Sequence, residues 1–432
     1  MNKKVVFKIL GIILCVEAAF LLLPFFVSLS AHGKDSRALA LSAILCASAG
    51  LPLLFLRTQR MRLHSRDGHI AVALCWVVLS LFGALPYALS GCCSYVDAVF
   101  ETVSGFTTTG ATIFSSPADL PRGIQFWRAL TQWMGGMGVL VMVLALLPKL
   151  GEGSVNLMKA ESPGPIATKI LPRTADTAKA LYQIYIALTV GETLSLRIAG
   201  MPWFDALTTS LTTISTGGFS IRNESIAYYH SEAVVWIIVF FMFVSSINFS
   251  LLFLIATRRF REALKSDELR LFTGIVVSAT GLVALNLILE AGYGIYDAIS
   301  KAAFQVVTLI STTGYATEDF ALWPFFAQSS LILVMLIGGC AGSTAGGIKV
   351  SRLVLLLKGL RRDLRRILHS REVRPLMLDG VRVEETTIAS VSLFFFAYLT
   401  ILMLCTSIIS LDQVDFTTAF TASLTALSNV GP

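Results

Sequence analysis

The chain is short of charge. Only 14% of its 432 residues are Asp, Glu, Lys or Arg, against about 25% in soluble domains. That excludes an ordinary soluble protein. Histidine is scarce too: His32, His64, His69, His230 and His369 lie near segment ends or in loops, and none clusters. With no His cluster and no Ser/His or paired-acid arrangement at membrane depth, no enzyme is expected. The seven cysteines have no CxxC spacing and mostly sit in apolar segments, so they read as small hydrophobes, not as a disulfide frame or metal site. Cys92-Cys93 is the one pair placed at an expected membrane edge. What the chain does have is apolar surface, with 55% hydrophobic residues and a mean hydropathy of +0.74. This composition predicts an all-α polytopic membrane protein.

The start, "MNKKVVFKILGIILCVEAAFLLLPFF", has the basic and apolar parts of a signal peptide. Its apolar run is too long and lacks a small-residue cleavage site, so a retained first helix is expected. Segments able to cross about 30 Å of hydrocarbon fall at 5–30, 37–56, 69–90, 124–148, 178–200, 231–257, 270–291, 325–357 and 386–410. Between them lie half-apolar stretches at 95–116, 203–221, 296–318 and 414–432, too short and too rich in Thr, Ser and Gly to span.

Charge orients the chain. Of its 34 Lys and Arg, 27 fall on one side of this alternation, at residues 3–8, 57–66, 149–179, 258–270 and 349–382. The positive-inside rule makes that side cytoplasmic. The four half-apolar stretches then face outward, the first three each between two spanning helices and the fourth after the last. The net charge of +7 sits mostly in cytoplasmic loops facing lipid headgroups, and nucleic acid is not an expected partner.

The half-apolar stretches repeat one another: "VDAVFETVSGFTTTGAT", "FDALTTSLTTISTGGFS", "YDAISKAAFQVVTLISTTGYAT" and "VDFTTAFTASLTALSNVGP". Each opens on an Asp (Asp97, Asp205, Asp297, Asp415) and closes on a Gly (Gly110, Gly218, Gly314, Gly431), 13, 13, 17 and 16 residues later. Each Asp is expected to cap a short re-entrant helix. Non-helical backbone at membrane depth survives only if buried or lining water. Glycine lets consecutive carbonyls face one axis, and the helix C-terminus favours a cation there. Four such loops can replace a cation's hydration shell. The expected filter residues are Thr108, Thr109 and Gly110; Thr216, Gly217 and Gly218; Thr312, Thr313 and Gly314; and Asn429, Val430 and Gly431.

A fifth stretch, "GGCAGSTAGGIKVSR" (338–352), interrupts an apolar segment. Its glycines break a helix, so Gly338, Gly339, Gly342, Ser343, Thr344, Gly346, Gly347 and Lys349 are expected to form a gating loop. Gly342 and Gly347 have the spacing of a phosphate-binding loop, but Ile348 stands where that motif needs Lys. "KGLRRDLRRILHSREVR" (358–374) is basic and amphipathic, suited to anionic lipid or to a cytosolic partner. Glu17, Glu101 and Glu192 are intramembrane acids and thus functional candidates. Glu192 is near Arg197 in sequence, and proton coupling stays open.

The motifs "TTTGAT", "STGGFS", "STTGYAT" and "SNVGP", with the Gly-rich fifth piece and two extra helices before the first repeat, resemble the Trk/Ktr/HKT superfamily of potassium-uptake proteins. The TrkH type is the nearest. The resemblance covers nearly the whole chain. It implies four helix-pore-helix repeats around one K⁺ path, with Rb⁺ accepted, no tightly bound cofactor, a homodimer, and a docked cytosolic nucleotide-binding ring of the TrkA type. The chain itself has no dinucleotide-binding fingerprint, so nucleotide control would come from that partner. On this pattern 1–60 holds the extra helix pair, 61–150, 151–260 and 261–370 the first three repeats (the third with its loop at 338–349), and 371–432 the fourth. That repeat needs a second spanning helix after Gly431, which the sequence to Pro432 does not supply, and whether the chain is a fragment or ends there naturally stays open. A symporter coupling K⁺ to H⁺ or Na⁺ shares this fold.

Overall fold

A computed structural model describes residues 3–56, 65–138, 174–369 and 375–431. The basic stretches 57–64 and 149–173 and the end of the 124–148 segment lie outside the described residues. Among the described residues helix dominates, and the strands are a two-residue pair, Met377–Leu378 with Val381–Arg382. The described residues divide into two units, those up to 241 and those from 242 on.

In the first unit, α1 (Lys3–Ser30) packs along α2 (Ser36–Leu54). Their contact is set by glycine. A Cβ on Gly11 would fall 2.6 Å from Leu53 Cβ, and one on Gly50 would fall 2.9 Å from the Gly11 carbonyl oxygen. Apolar helices in lipid gain little by hiding from one another, so close backbone approach supplies the attraction. The first repeat follows as α3 (Ser65–Gly83), α4 (Leu85–Leu89), the short re-entrant α5 (Tyr95–Phe106) and α6 (Arg122–Gly136). The second repeat runs α7 (Thr174–Ile198), re-entrant α8 (Trp203–Ile214) and α9 (Glu232–Ser245).

The chain then bends by 103° into α10 (Phe249–Ala256). The sequence reads 231–257 as a single span. Asn248 breaks it, because its side chain accepts from the Ser250 amide and starts a new helix. After the four-residue α11 (Phe260–Ala263), the third repeat comprises α12 (Asp267–Ala291), re-entrant α13 (Ile295–Ile310), α14 (Phe325–Ile337) and α15 (Val350–Leu368). The fourth contributes α16 (Glu385–Ile409) and re-entrant α17 (Phe416–Ser428).

The expected capping by aspartate holds only in the last re-entrant helix, where Asp415 accepts from the Thr418 amide at 3.0 Å and the Thr418 hydroxyl at 2.6 Å. Those two bonds hold its carboxyl below the usual carboxylate range. In the first three, the Asp lies one turn inside a helix begun by Ser94, Pro202 or Gly294. There it still complements the positive end of the helix. Asp205 also anchors the following loop, accepting from Arg222 at 2.7 Å and from the Tyr229 hydroxyl at 3.0 Å. Burial and that carboxylate together push the Tyr229 phenol up.

Because the Gly11–Gly50 crossing leaves no room for a side chain, Gly50→Leu should destabilise the detergent-solubilised protein by about 1–3 kcal/mol through overpacking. A Cβ on Gly274 would meet nothing within 4 Å, so alanine should be tolerated there with no loss. Thermal unfolding of the two variants checks this, and equal stability would refute the crossing as a packing determinant.

Candidate cation filter and intramembrane loop

The four re-entrant helices end in the same way. At the end of α5, the Thr108 amide donates to the Gly105 carbonyl at 3.0 Å and the Thr109 amide to Ser104 at 2.9 Å. At α8, Thr216 donates to Thr213 and Gly217 to Thr212, both at 2.9 Å. At α13, Thr312 donates to Leu309 at 3.2 Å and Thr313 to Thr308 at 2.9 Å. At α17, Asn429 donates to Ala426 at 3.3 Å and Val430 to Thr425 at 2.9 Å. This is the paired helix-ending motif that normally requires glycine at its left-handed residue. Here that residue is Thr108, Thr216, Thr312 or Asn429, with φ of 59°, 54°, 57° and 62°. A β-branched residue there is strained, by about 1–3 kcal/mol. Two residues on, Gly110, Gly218, Gly314 and Gly431 again have positive φ, 87°, 73°, 78° and 76°, which glycine accommodates without strain.

The motif sets where the carbonyls point. Every peptide bond described is trans, so each carbonyl opposes the amide hydrogen of its own peptide plane. The amides of Thr109, Gly217, Thr313 and Val430 point back into their helices. The carbonyls of Thr108, Thr216, Thr312 and Asn429 therefore point away from the helix ends. Those ends carry the negative pole of the helix dipole. All twelve filter residues named from the sequence fall in these four turns.

In the first unit, α6 holds two of the loops. Arg128 and Glu101 form a buried pair, Nε to Oε1 at 2.7 Å, with side chains 2% and 0% exposed. Glu101 also accepts from the Thr112 hydroxyl at 2.9 Å and the Ile113 amide at 3.1 Å, which ties the first loop to its own helix. Arg128 reaches the second loop, donating to the Ser220 carbonyl at 3.1 Å and lying 4.3 Å over the Phe219 ring. One turn on, Gln132 brackets the second filter turn. Its amide nitrogen donates to the Gly217 carbonyl at 2.6 Å and its oxygen accepts from the Phe219 amide at 3.0 Å. Sequence reasoning misses Arg128 and Gln132. Their signal is two strongly polar residues four apart, on one face of an apolar segment.

Glu192 is buried and makes no ion pair with Arg197. That guanidinium reaches the Met201 carbonyl at 3.4 Å and lies over the Trp203 ring.

In the second unit, the gating-loop residues lie together and close on themselves. The Lys349 amide donates to Ile337 and the Val350 amide to Gly339, both at 3.0 Å. Gly338 and Gly347, both at positive φ, sit back to back: a Cβ on Gly338 would lie 2.7 Å from Gly347 Cα. Several side chains pin this loop. Glu268 accepts from the Ala341 amide at 2.6 Å and the Ser351 amide at 3.0 Å. Lys349, 4% exposed, donates to the Ala345 carbonyl. Thr344 donates to the Ser245 carbonyl at 3.2 Å, beside the bend that precedes α10. The loop also touches both filter turns of its unit. The Gly346 amide donates to the Thr312 hydroxyl at 2.6 Å, and the Gly347 amide to the Ser428 carbonyl at 2.8 Å. Tyr398 of α16 shares a 2.7 Å hydrogen bond with the Ser428 hydroxyl. Glu268, like Gln132, acts from a helix distant in sequence, whereas Tyr398 acts from the helix just before α17.

Apolar helices around strained, glycine-closed turns at helix C-termini define a membrane protein for cation transport. Residues 35–432 match the TrkH cation transport protein family, and the chain belongs to that family. Over its full length it is 37% identical to the Trk system potassium uptake protein TrkH of Salmonella typhimurium, covering 91% of that protein. It is 33% identical to the Escherichia coli K12 protein TrkG over 86% of this chain and 77% of that one. The crystal structure of the potassium transporter TrkH from Vibrio parahaemolyticus superposes on the whole chain with a TM-score of 0.89 at 35% identity, and 91% of that chain is covered. The family is one of transporters, not enzymes.

Removing Arg128 leaves Glu101 buried and uncompensated. Arg128→Met should cost about 3–5 kcal/mol, read as a fall in the thermal unfolding midpoint in detergent. The double variant Glu101→Gln/Arg128→Met should recover part of the loss. A single variant as stable as the parent would show that the pair does not hold the loops.

Proposed function

We propose that the chain takes up K⁺, with carbonyls of Thr108–Gly110, Thr216–Gly218, Thr312–Gly314 and Asn429–Gly431 replacing the ion's water. One observation carries this reading: the same strained turn occurs four times, with a left-handed residue two positions before a positive-φ glycine. Such strain persists where function requires it. The relatives named above are potassium uptake proteins. K⁺ is cargo here, with Rb⁺ as its surrogate, and no tightly bound cofactor is needed.

The 338–349 loop acts as the gate. Its amides bond to the third and fourth filter turns, so a change in its shape reaches the ion path directly. The basic loops face the cytoplasm and the filter turns face outward, in a bacterial inner membrane. The working unit is a homodimer regulated by a cytosolic nucleotide-binding ring of the TrkA type. Membrane potential supplies the inward drive.

The test is Rb⁺ uptake by bacterial cells lacking their own potassium uptake, with the cytosolic partner supplied. K⁺ should compete strongly and Na⁺ weakly. Gly314→Ala places a Cβ against the Val430 carbonyl at a positive φ and should cut uptake or the K⁺-over-Na⁺ preference at least tenfold, an order of magnitude taken from the cost of losing one good polar contact. Gly274→Ala should change neither. No uptake by well-expressed, inserted parent protein would overturn the reading.

A further inference from the structure

The helix that leaves the gating loop carries a feature that ion permeation does not use. In its second half, α15 places Lys358, Arg361, Arg362, Arg365 and Arg366 at spacings of three, four, seven and eight residues from the first. All five fall on one face. With Pro375, Leu376 and Met377 they line a cavity of about 250 Å³. The back of this cavity is fixed. Leu376 is buried and stands opposite Gly359, where a Cβ would only just touch it. Lys358 is held by Asp267 at 2.5 Å and by the Met377 carbonyl at 3.0 Å. Arg362 is held by Glu385 at 2.6 Å and Asp363 at 3.1 Å. Arg361, Arg365 and Arg366 are exposed, and among the described residues no carboxylate lies within ion-pair distance of them.

The adjoining face of the same helix is apolar and, among the described residues, exposed. Leu360, Leu364, Ile367 and Leu368 are 59%, 54%, 79% and 77% exposed. An exposed apolar stripe beside a basic one is the pattern of a helix lying in the membrane interface. The cavity is also smaller than the roughly 300–1,000 Å³ of sites that enclose a whole small molecule. It suits one phosphate group whose remaining bulk lies elsewhere, and guanidinium forks match phosphate oxygens in pairs.

We propose that this cavity is a headgroup site for an anionic phospholipid, its phosphate held by Arg361, Arg365 and Arg366 and its acyl chains lying along the Leu360–Leu368 face. A soluble phosphate or nucleotide would leave that apolar face unexplained. The site also lies close to the gating loop along the chain: Asp267, which holds Lys358, is followed by Glu268, which holds the Ala341 and Ser351 amides.

The test uses the full chain in nanodiscs of phosphatidylcholine doped with phosphatidylglycerol. Lipid retained after extraction into detergent is measured by mass spectrometry. The parent should retain phosphatidylglycerol in preference to phosphatidylcholine, and the retention should fall with added salt. About fivefold weakening per arginine is expected, so R361Q/R365Q/R366Q should lose about a hundredfold. R361K/R365K/R366K should keep most of the binding. R258Q/R261Q, which removes exposed cations elsewhere, should lose none. Parent protein that shows no lipid preference, or a triple glutamine variant that retains as much as the parent, overturns the proposal. So does displacement of phosphatidylglycerol by millimolar inorganic pyrophosphate, which would make the site one for soluble phosphate. Loss of cytosolic-partner binding in the triple variant with lipid retention unchanged would likewise assign the surface to that partner and overturn it.

Discussion

Non-helical backbone in an apolar protein must find hydrogen-bond partners within the protein, and that constraint organises most of what is distinctive here. In hydrocarbon each unsatisfied peptide group costs several kcal/mol. The four filter turns meet the cost in two stages. Their first amides return to the re-entrant helix, through the bonds of Thr108, Thr216, Thr312 and Asn429 and of the residue after each. The rest of each loop is then held by groups from other parts of the chain. The first stage orients the carbonyls and the second fixes the loop.

The first stage is the same in all four turns, and the second differs from turn to turn. In the first unit a single helix holds both loops, with Arg128 and Gln132 on one face reaching Glu101, Thr112, Gly217, Phe219 and Ser220. In the second unit Lys301 and Gln305 tie the third loop through Glu318, and the turns themselves are met by the glycine-rich loop, whose Gly346 and Gly347 amides bond to Thr312 and Ser428. Charged side chains make a rigid clamp, because separating a buried pair is costly. Neutral amide bonds to a glycine-rich loop are each worth about 1 kcal/mol net and can be exchanged at low cost. The asymmetry gives a physical reason for the proposed gate to lie beside the third and fourth turns.

Much of this is legible in the sequence because it rests on local rules. Apolar length locates the helices, and Thr-Gly runs between them locate the filter turns. A loop of five glycines announces the interruption at 338–349. Other features rest on partners far apart in sequence and leave only faint marks. Gln132 meets Gly217 85 residues away, and Glu268 meets Ala341 across 73. No spacing rule joins such pairs. The bend at Asn248 is hidden for the opposite reason: it is local, but 231–257 is apolar on both sides of it, so hydropathy alone runs straight through. The aspartates illustrate a third case. Their recurrence does mark each re-entrant helix, yet only Asp415 occupies the cap, because an acidic residue satisfies the positive helix end equally well from the first turn.

The left-handed threonines bear on why this protein uses Thr where a stable helix end would use Gly. A glycine at Thr108, Thr216 or Thr312 would remove the strain of a β-branched residue at φ of 59°, 54° or 57°. It would also remove a hydroxyl that is in use. Thr108 and Thr216 donate to the carbonyl just before them, at 2.6 and 2.7 Å, and Thr312 accepts from the Gly346 amide. A free glycine hinge would let the turn sample several backbone states, and the carbonyls would lose their common direction. A threonine locked by its own hydroxyl costs stability but leaves one geometry. Where the carbonyls must stand in for an ion's water shell, a single geometry is worth more than a relaxed one. At the fourth turn, Asn429 takes the same left-handed state at less cost, since asparagine tolerates it better than any β-branched residue. That turn is thus built with the least stored strain, and it is one of the two that the 338–349 loop touches.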